Sequence, residues 1–260
     1  MRRQLPRTIL GRTGLEVTRL GVGGAYCKSA EGYGQAIDAG VNYVDTARSY
    51  LNGEDERRIG EAIAGRRDAL VLATKSGERD AAGLRRELEI SLRLLGTDYV
   101  DVYQLHHLNT AEHRDRALGP GGALEAARQA REEGLIRFIG VTGHDWVQVR
   151  TAVATGAFDT VLCWYNSAMK EPESTVFPAA QEEGMGVVVM NAGRNDKLFL
   201  EPDAPAKELF YRYVLSNRAV HLTIMGLRDV GRFLDVAAAL AESTKITAAE
   251  RLELEQHGTA

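Results

Sequence analysis

Eight short apolar runs, each bounded by glycine or polar residues, most constrain what this chain can fold into. They occupy residues 20–23, 42–45, 70–74, 100–105, 136–141, 160–164, 187–190 and 221–225, about 22 to 36 residues apart. Short, mainly apolar runs bounded in this way read as strands. The segments between them carry helical spacing. Leu84, Leu88, Ser91, Leu92 and Leu95 share one face at i, i+4, i+7, i+8 and i+11. Leu124, Ala127, Arg128 and Arg131 mark another helix, ended by Gly134, and Ala152 with Val153, Phe177 with Ala180 and Phe233 with Ala237 mark three more. Strand and helix alternating eight times predict the α/β class and, within it, a (β/α)8 TIM barrel. Residues 7–17 precede the first unit and read as a β-hairpin turning at Gly11-Arg12-Thr13-Gly14, expected to close the barrel bottom. A doubly wound sheet is the rival architecture. Its phosphate turn is G-x-G-x-x-G, which Gly21-Val22-Gly23-Gly24-Ala25-Tyr26 does not match.

By length alone 260 residues could make two domains, but barrels of this size are routinely one. No linker rich in proline, glycine or serine divides the chain, so residues 1–260 are expected to form a single barrel domain. The most loop-like stretch, 191–205, reads as the loop after the seventh strand. The net charge of −4 is spread over mixed signs without a basic block, which argues against a nucleic-acid partner. No apolar run approaches the roughly 20 residues of a membrane span. The opening Met1-Arg2-Arg3-Gln4-Leu5-Pro6 lacks the apolar core of a signal peptide. Cys27 and Cys163 are the only cysteines and stand far apart. Free thiols and a cytoplasmic location are expected.

In such barrels the chemistry gathers where the strands end. Asp45 closes the second run, Lys75 follows the third and His106 follows the fourth, while Tyr50 lies in the loop after Asp45. Consecutive strand ends share one mouth, so these four can converge. A phenol ordinarily keeps its proton to near pH 10, too tightly for ready exchange at neutral pH. An adjacent ammonium stabilises the phenolate. Lys75 can supply that charge, Asp45 can keep Lys75 protonated and aimed, and Tyr50 then serves as a general acid. A neutral His106 can hydrogen-bond a carbonyl oxygen and orient it. Neither a G-x-S-x-G turn nor a catalytic cysteine context supplies a protein nucleophile, and a bound hydride donor fits the gap.

Along most of its length the chain resembles the aldo-keto reductase superfamily. The matching stretches are Leu10-Gly11-Arg12-Thr13-Gly14-Leu15-Glu16-Val17, Leu20-Gly21-Val22-Gly23, Ala36-Ile37-Asp38-Ala39-Gly40 and Asp45-Thr46-Ala47. Glu56 with Ile59-Gly60-Glu61-Ala62, Thr74-Lys75, Ser91-Leu92 before Leu94-Leu95-Gly96, Asp101-Val102-Tyr103-Gln104-Leu105-His106 and residues 134–141 complete them. The resemblance implies an NADP-dependent oxidoreductase that reduces an aldehyde or ketone to an alcohol, or runs in reverse. Hydride would come from nicotinamide C4 of NADP(H), with Asp45, Tyr50, Lys75 and His106 as the catalytic tetrad. It also implies a cofactor seat of Gly24, Asp45, Thr142, Gly143, Gly226, Arg228 and Arg232. Thr142-Gly143 stands where the family has Ser-Asn, and Leu162 where it has a glutamine, so two nicotinamide amide contacts are missing. His144 and Asn166 are candidates to replace them. Arg228 and Arg232, after the eighth strand, face the expected 2′-phosphate and favour NADPH over NADH. Tyr26, His107, Trp146 and Trp164 sit near strand ends as candidates to line the substrate pocket. The chain ends at Ala260, short of the longer C-terminal loop of many relatives, which implies an open mouth.

Three other readings compete. A metal-dependent barrel hydrolase would need the His-x-His pair on the first strand, which is absent, and His221 begins the eighth strand at the opposite face; no metal is expected. A Schiff-base aldolase or lyase would use Lys75 as a neutral amine, and Asp45 argues for a charged one. A non-catalytic dinucleotide-binding relative is the third. The partner expected on the leading reading is a small carbonyl or alcohol, with the protein a monomer or weak homo-oligomer.

Overall fold

The computed structural model describes residues 4–199 and 203–259. Met1, Arg2 and Arg3 of the opening stretch, Leu200, Glu201 and Pro202 of the expected loop, and the terminal Ala260 lie outside them. Strands β1 (Arg7–Ile9) and β2 (Glu16–Thr18) come first. Then follow β3 (Leu20–Gly23), α1 (Ala30–Asp38), β4 (Tyr43–Asp45), α2 (Glu54–Ile63), β5 (Val71–Ser76), α3 (Ala81–Leu95), β6 (Val100–Leu105), α4 (Ala111–Leu118), α5 (Ala123–Glu132) and β7 (Ile136–Thr142). The chain finishes with α6 (Trp146–Val153), β8 (Thr160–Trp164), α7 (Val176–Glu182), β9 (Gly186–Met190), α8 (Lys207–Ser216), β10 (Leu222–Gly226), α9 (Val230–Glu242) and α10 (Ala248–Thr259). Strands β3 to β10 are the eight apolar runs, displaced by at most two residues at their ends. They pair in parallel and close in the order β10-β3-β4-β5-β6-β7-β8-β9. The fold is a (β/α)8 TIM barrel.

Helix α3 shows how the local sequence makes its element. Asp80 caps it by accepting from Gly83 N at 2.9 Å. Leu84, Leu88, Ser91 and Leu95 turn inward, and Gly96 ends the helix at φ 63°. Each leucine so buried contributes about 1.5 to 3 kcal/mol. In α5 the inward face is Ala123, Leu124, Ala126, Ala127 and Ala130. Arg128 and Arg131, counted with that helix in the sequence, lie on its exposed face.

Side chains along a barrel strand alternate between interior and helix layer. Tyr43, Val71, Ala73, Val102, Leu162, Val188, Leu222 and Ile224 form one inner cluster, and Leu10, Leu15 and Val17 of the hairpin belong to it. The hairpin therefore plugs the bottom. Its strands pair Arg7 with Thr18 and Ile9 with Glu16. The Arg12 guanidinium ties the turn to the barrel floor by donating to the Phe158, Glu183 and Gly156 carbonyls at 2.7, 3.0 and 3.1 Å. Continuing the same alternation upward places Asp45 above Tyr43, Lys75 above Ala73, Gln104 and His106 above Val102, and Trp164 above Leu162. Hydrophobic burial at the floor thus fixes which polar side chains face the mouth. Strand β3 is the exception in kind: its inward positions are Gly21 and Gly23, which leave space in place of side chains.

Candidate active site

A cavity of about 310 Å³ opens at the C-terminal mouth and is lined by Asp45, Tyr50, Lys75 and His106. That volume falls at the lower end of the roughly 300 to 1,000 Å³ typical of small-molecule sites. Lys75 Nζ donates to Asp45 Oδ1 at 2.5 Å and to the Thr46 carbonyl at 2.7 Å, and lies 3.5 Å from the Tyr50 hydroxyl. Gln104 Nε2 donates to the other Asp45 oxygen at 2.8 Å. The Tyr50 and His106 rings meet edge to face, 5.8 Å between centroids. Burial works against charge on Lys75, but Asp45 and Tyr50 outweigh it and raise the ammonium above its ordinary value. Burial raises the Asp45 carboxyl, opposed by Lys75 and then Gln104. With an ammonium at 2.5 Å, the pair stays ionised at neutral pH.

Two further buried carboxylates hold the loop that carries Tyr50. Asp55 accepts from Tyr33 Oη and Thr46 Oγ1, each at 2.6 Å. Glu56 accepts from Thr74 Oγ1 at 2.7 Å and pairs with the Arg48 guanidinium. Both acids start α2, where negative charge suits the helix dipole. Gly53, at φ 91°, lies against Arg48 so closely that a Cβ would fall 1.9 Å from its guanidinium. Gly24 is similarly confined, because a Cβ there would sit 2.2 Å from Asp55 Oδ2. Its backbone N–H donates to the Asp45 carbonyl at 2.7 Å.

Histidines build the next part of the wall. His106 stacks on His107 at 3.7 Å, His107 meets His144 edge-on at 4.8 Å, and His144 stacks on Trp164 at 4.2 Å. Burial, then the Lys75 charge, then the neighbouring imidazoles push His106 down to about 2. Burial, then the neighbouring His144 imidazole and the Lys75 ammonium, push His107 down to about 4. Burial also lowers His144. All three rings are neutral at physiological pH and suited to hydrogen bonding. Backbone contacts fix them: Arg79 donates to the His107 carbonyl at 2.9 Å, and His144 N donates to Asn109 Oδ1 at 2.6 Å.

The opposite wall comprises Tyr26, Asn191, Asp196, Gly226, Arg228 and Arg232. Arg228 lies over the Tyr26 ring at 3.7 Å, and a Cβ on Gly226 would meet that ring at 2.5 Å. The N-terminus of α9 is already capped by Asp229, which accepts from Arg232 N at 3.0 Å. Of the predicted site residues, Gly24, Tyr26, Asp45, Tyr50, Lys75, His106, His107, Thr142, Trp164, Gly226, Arg228 and Arg232 line this one cavity. Trp146 and Gly143 do not. Trp146 is the first residue of α6 and packs, half-buried, against the outer core. Gly143 is enclosed by Val149, Asn109 and Leu108. Leu162 belongs to the floor cluster one inward step below Trp164. Asn166 is also committed elsewhere: it donates to the Asn191 carbonyl at 2.9 Å and accepts from Ala168 N at 2.9 Å.

Residues 26–195 match the family described as Aldo/keto reductase family. The chain belongs to the aldo/keto reductase family. Aldo-keto reductase YhdN of Bacillus subtilis is 31% identical over 198 residues, covering 67% of this chain and 58% of that protein. The chain spans about three fifths of the length of such curated relatives. Among solved structures, the holo form of aldo-keto reductase AKR11C1 from Bacillus halodurans superposes with a TM-score of 0.84 at 25% identity, over 98% of this chain and 96% of that one. An aldo/keto reductase from Klebsiella pneumoniae, in complex with NADP and acetate, gives a TM-score of 0.79 at 25% identity, over 97% and 95%. In this aldo/keto reductase the sequence reasoning missed Gln104, Asp196 and the support from Asp55 and Glu56. Inward alternation on β6 could have found Gln104, two residues before His106. Glu56 stood in the sequence only as part of a stretch matching the family, Asp55 carried no signal of its own, and nothing in the sequence aims Asp196. Among the described residues no group of three or more His, Cys, Asp or Glu is placed to hold a metal ion, and no helix is long and apolar enough to cross a membrane.

Proposed function

We propose that the chain is an NADP(H)-dependent oxidoreductase that interconverts a small aldehyde or ketone and its alcohol, with Tyr50 as the general acid. The observation that carries this is the Lys75 ammonium bridging Asp45 and the Tyr50 hydroxyl at the edge of a cavity that runs on to Arg228 and Arg232. The dinucleotide named in the Klebsiella complex fits features of this cavity. Thr142 Oγ1 lines it, buried and without a partner. Gly23, Gly24 and Gly226 give a wall without side chains, and the two arginines offer cations for a phosphate. Thr142, Gly226, Arg228 and Arg232 would hold the cofactor, which supplies hydride when bound.

The chain's own groups do the rest. Neutral His106 donates a hydrogen bond to the carbonyl oxygen and orients it. Tyr50 delivers its phenolic proton to that oxygen as the carbon is reduced, and the Lys75 ammonium stabilises the phenolate left behind. In the oxidative direction the phenolate takes the proton back. Asp45 keeps Lys75 charged and aimed. A Schiff-base role for Lys75 needs a neutral amine, which this pairing opposes. The same reading takes residues 1–260 as one domain acting on a small molecule in the cytoplasm, as a monomer or weak homo-oligomer, without nucleic acid. Two buried free thiols, Cys27 and Cys163, support a reducing compartment. The test is a fluorescence titration with NADPH and NADH, followed by turnover of the Tyr50→Phe variant. Absence of binding, or full turnover in the variant, defeats the reading.

A further inference from the structure

The arginine pair that lines the far side of the cavity already holds an anion, and it comes from the protein. Asp196 Oδ2 lies 3.1 Å from Arg232 NH1 and 4.0 Å from Arg228 Nε. Asp229 adds a second carboxylate, 4.0 Å from Arg232 NH2. Two cations are thus matched by two carboxylates, and a phosphate arriving while Asp196 stays in place finds no net positive charge. Asp229 is committed as the cap of α9, so Asp196 is the carboxylate that can be exchanged.

The backbone around Asp196 is built to present it. Asn191, Arg194, Asn195 and Asp196 all have positive φ, at 69°, 51°, 56° and 67°. Asparagine and aspartate visit this region more readily than other side chains, which accounts for three of the four. Asn191 secures the turn by accepting from Asn195 N, and Asn166 holds the Asn191 carbonyl from below. The side chain at 196 is thereby aimed at the arginines.

We propose that Asp196 is a specificity-determining residue of this chain: its carboxylate competes with a 2′-phosphate for Arg228 and Arg232, and so penalises the phosphorylated dinucleotide against the unphosphorylated one. The proposal rests on the dinucleotide reading above. A ligand that ends in a neutral ribose hydroxyl does not contend for the pair, whereas one that ends in phosphate must displace Asp196 or share the arginines with it.

The test uses the full chain, wild type and Asp196→Asn, titrated with NADPH, NADH and 2′-AMP, with thermal melting to confirm that both fold alike. Asparagine keeps the shape and removes the charge. The variant should bind NADPH and 2′-AMP about two- to fivefold more tightly, in line with a partly exposed charge contact. Affinity for NADH should change several-fold less, and the gain should shrink at high salt. An unchanged or lower NADPH-to-NADH preference overturns the proposal. If neither dinucleotide binds either protein, the functional reading fails instead. The competition is then judged on 2′-AMP alone, and equal binding, or no binding to either protein, overturns it as well.

Discussion

The two walls of the cavity are built on opposite plans. On one, Asp45 and Lys75 are almost wholly buried, each oxygen of the acid has a donor, and the side chains stand on β4 and β5 above a packed floor. On the other, Arg228 and Arg232 are partly exposed, and Asp196 pairs with them from a loop rather than a strand. The difference teaches where each task can be placed. Proton delivery depends on distances held within a fraction of an ångström, which strand ends backed by a core can supply. Charge neutralisation of a ligand tolerates looser geometry, and a loop that can exchange partners suits it.

The largest effect should come from breaking the rigid wall at its centre. Lys75→Met leaves Asp45 buried without its counter-ion, which should cost about 3 to 5 kcal/mol of stability and abolish turnover; denaturant unfolding and an activity assay measure both. Tyr50→Phe removes only the proton donor. Turnover should drop roughly 10²- to 10⁴-fold while NADPH affinity is largely kept, and equal losses in both would show that the two walls are less separable than drawn. Glu56→Gln tests the support beneath Tyr50. It weakens the contacts to Thr74 and Arg48, so stability should fall by about 1 to 3 kcal/mol and turnover should fall while dinucleotide affinity holds.

Acid should act through the histidine stack. His106 has a folded value near 2 against about 6.5 unfolded, so the unfolded chain binds more protons between these limits. Stability is therefore intact above pH 6.5 and declines as the pH falls below it. Melting temperatures from pH 7 to 4 should drop more steeply for the wild type than for His106→Gln, and parallel curves would contradict the neutral, desolvated ring. The smallest effect is expected from Trp146→Phe, which should leave the substrate KM unchanged and alter stability by less than about 1.5 kcal/mol. Trp164→Ala, on the cavity wall, should raise that KM.

How much of this was legible in the sequence follows the same divide. The barrel was readable because short apolar runs bounded by turn residues recur eight times, with helical spacing in the segments between them. Asp45, Lys75 and His106 were readable because strand ends are where a barrel opens. Trp146 was misplaced because nearness to a strand end does not give direction: one residue past the Asp145 cap, the chain is already helix and the ring turns to the outer core. Gly143 looked like a gap in a binding contact, whereas its neighbours leave no room for a side chain. Asp196 was invisible because its aim depends on left-handed backbone, which no periodicity announces.

Leu10, Leu15 and Val17 extend the packed inner cluster to the underside of the barrel, so the interior beneath the cavity is filled from the strands down to the hairpin. Among the described residues, the cavity that holds Tyr50 is reached from the C-terminal mouth. If the proposed function holds, a dinucleotide and a carbonyl compound would share that mouth, and the one seated deeper would leave second.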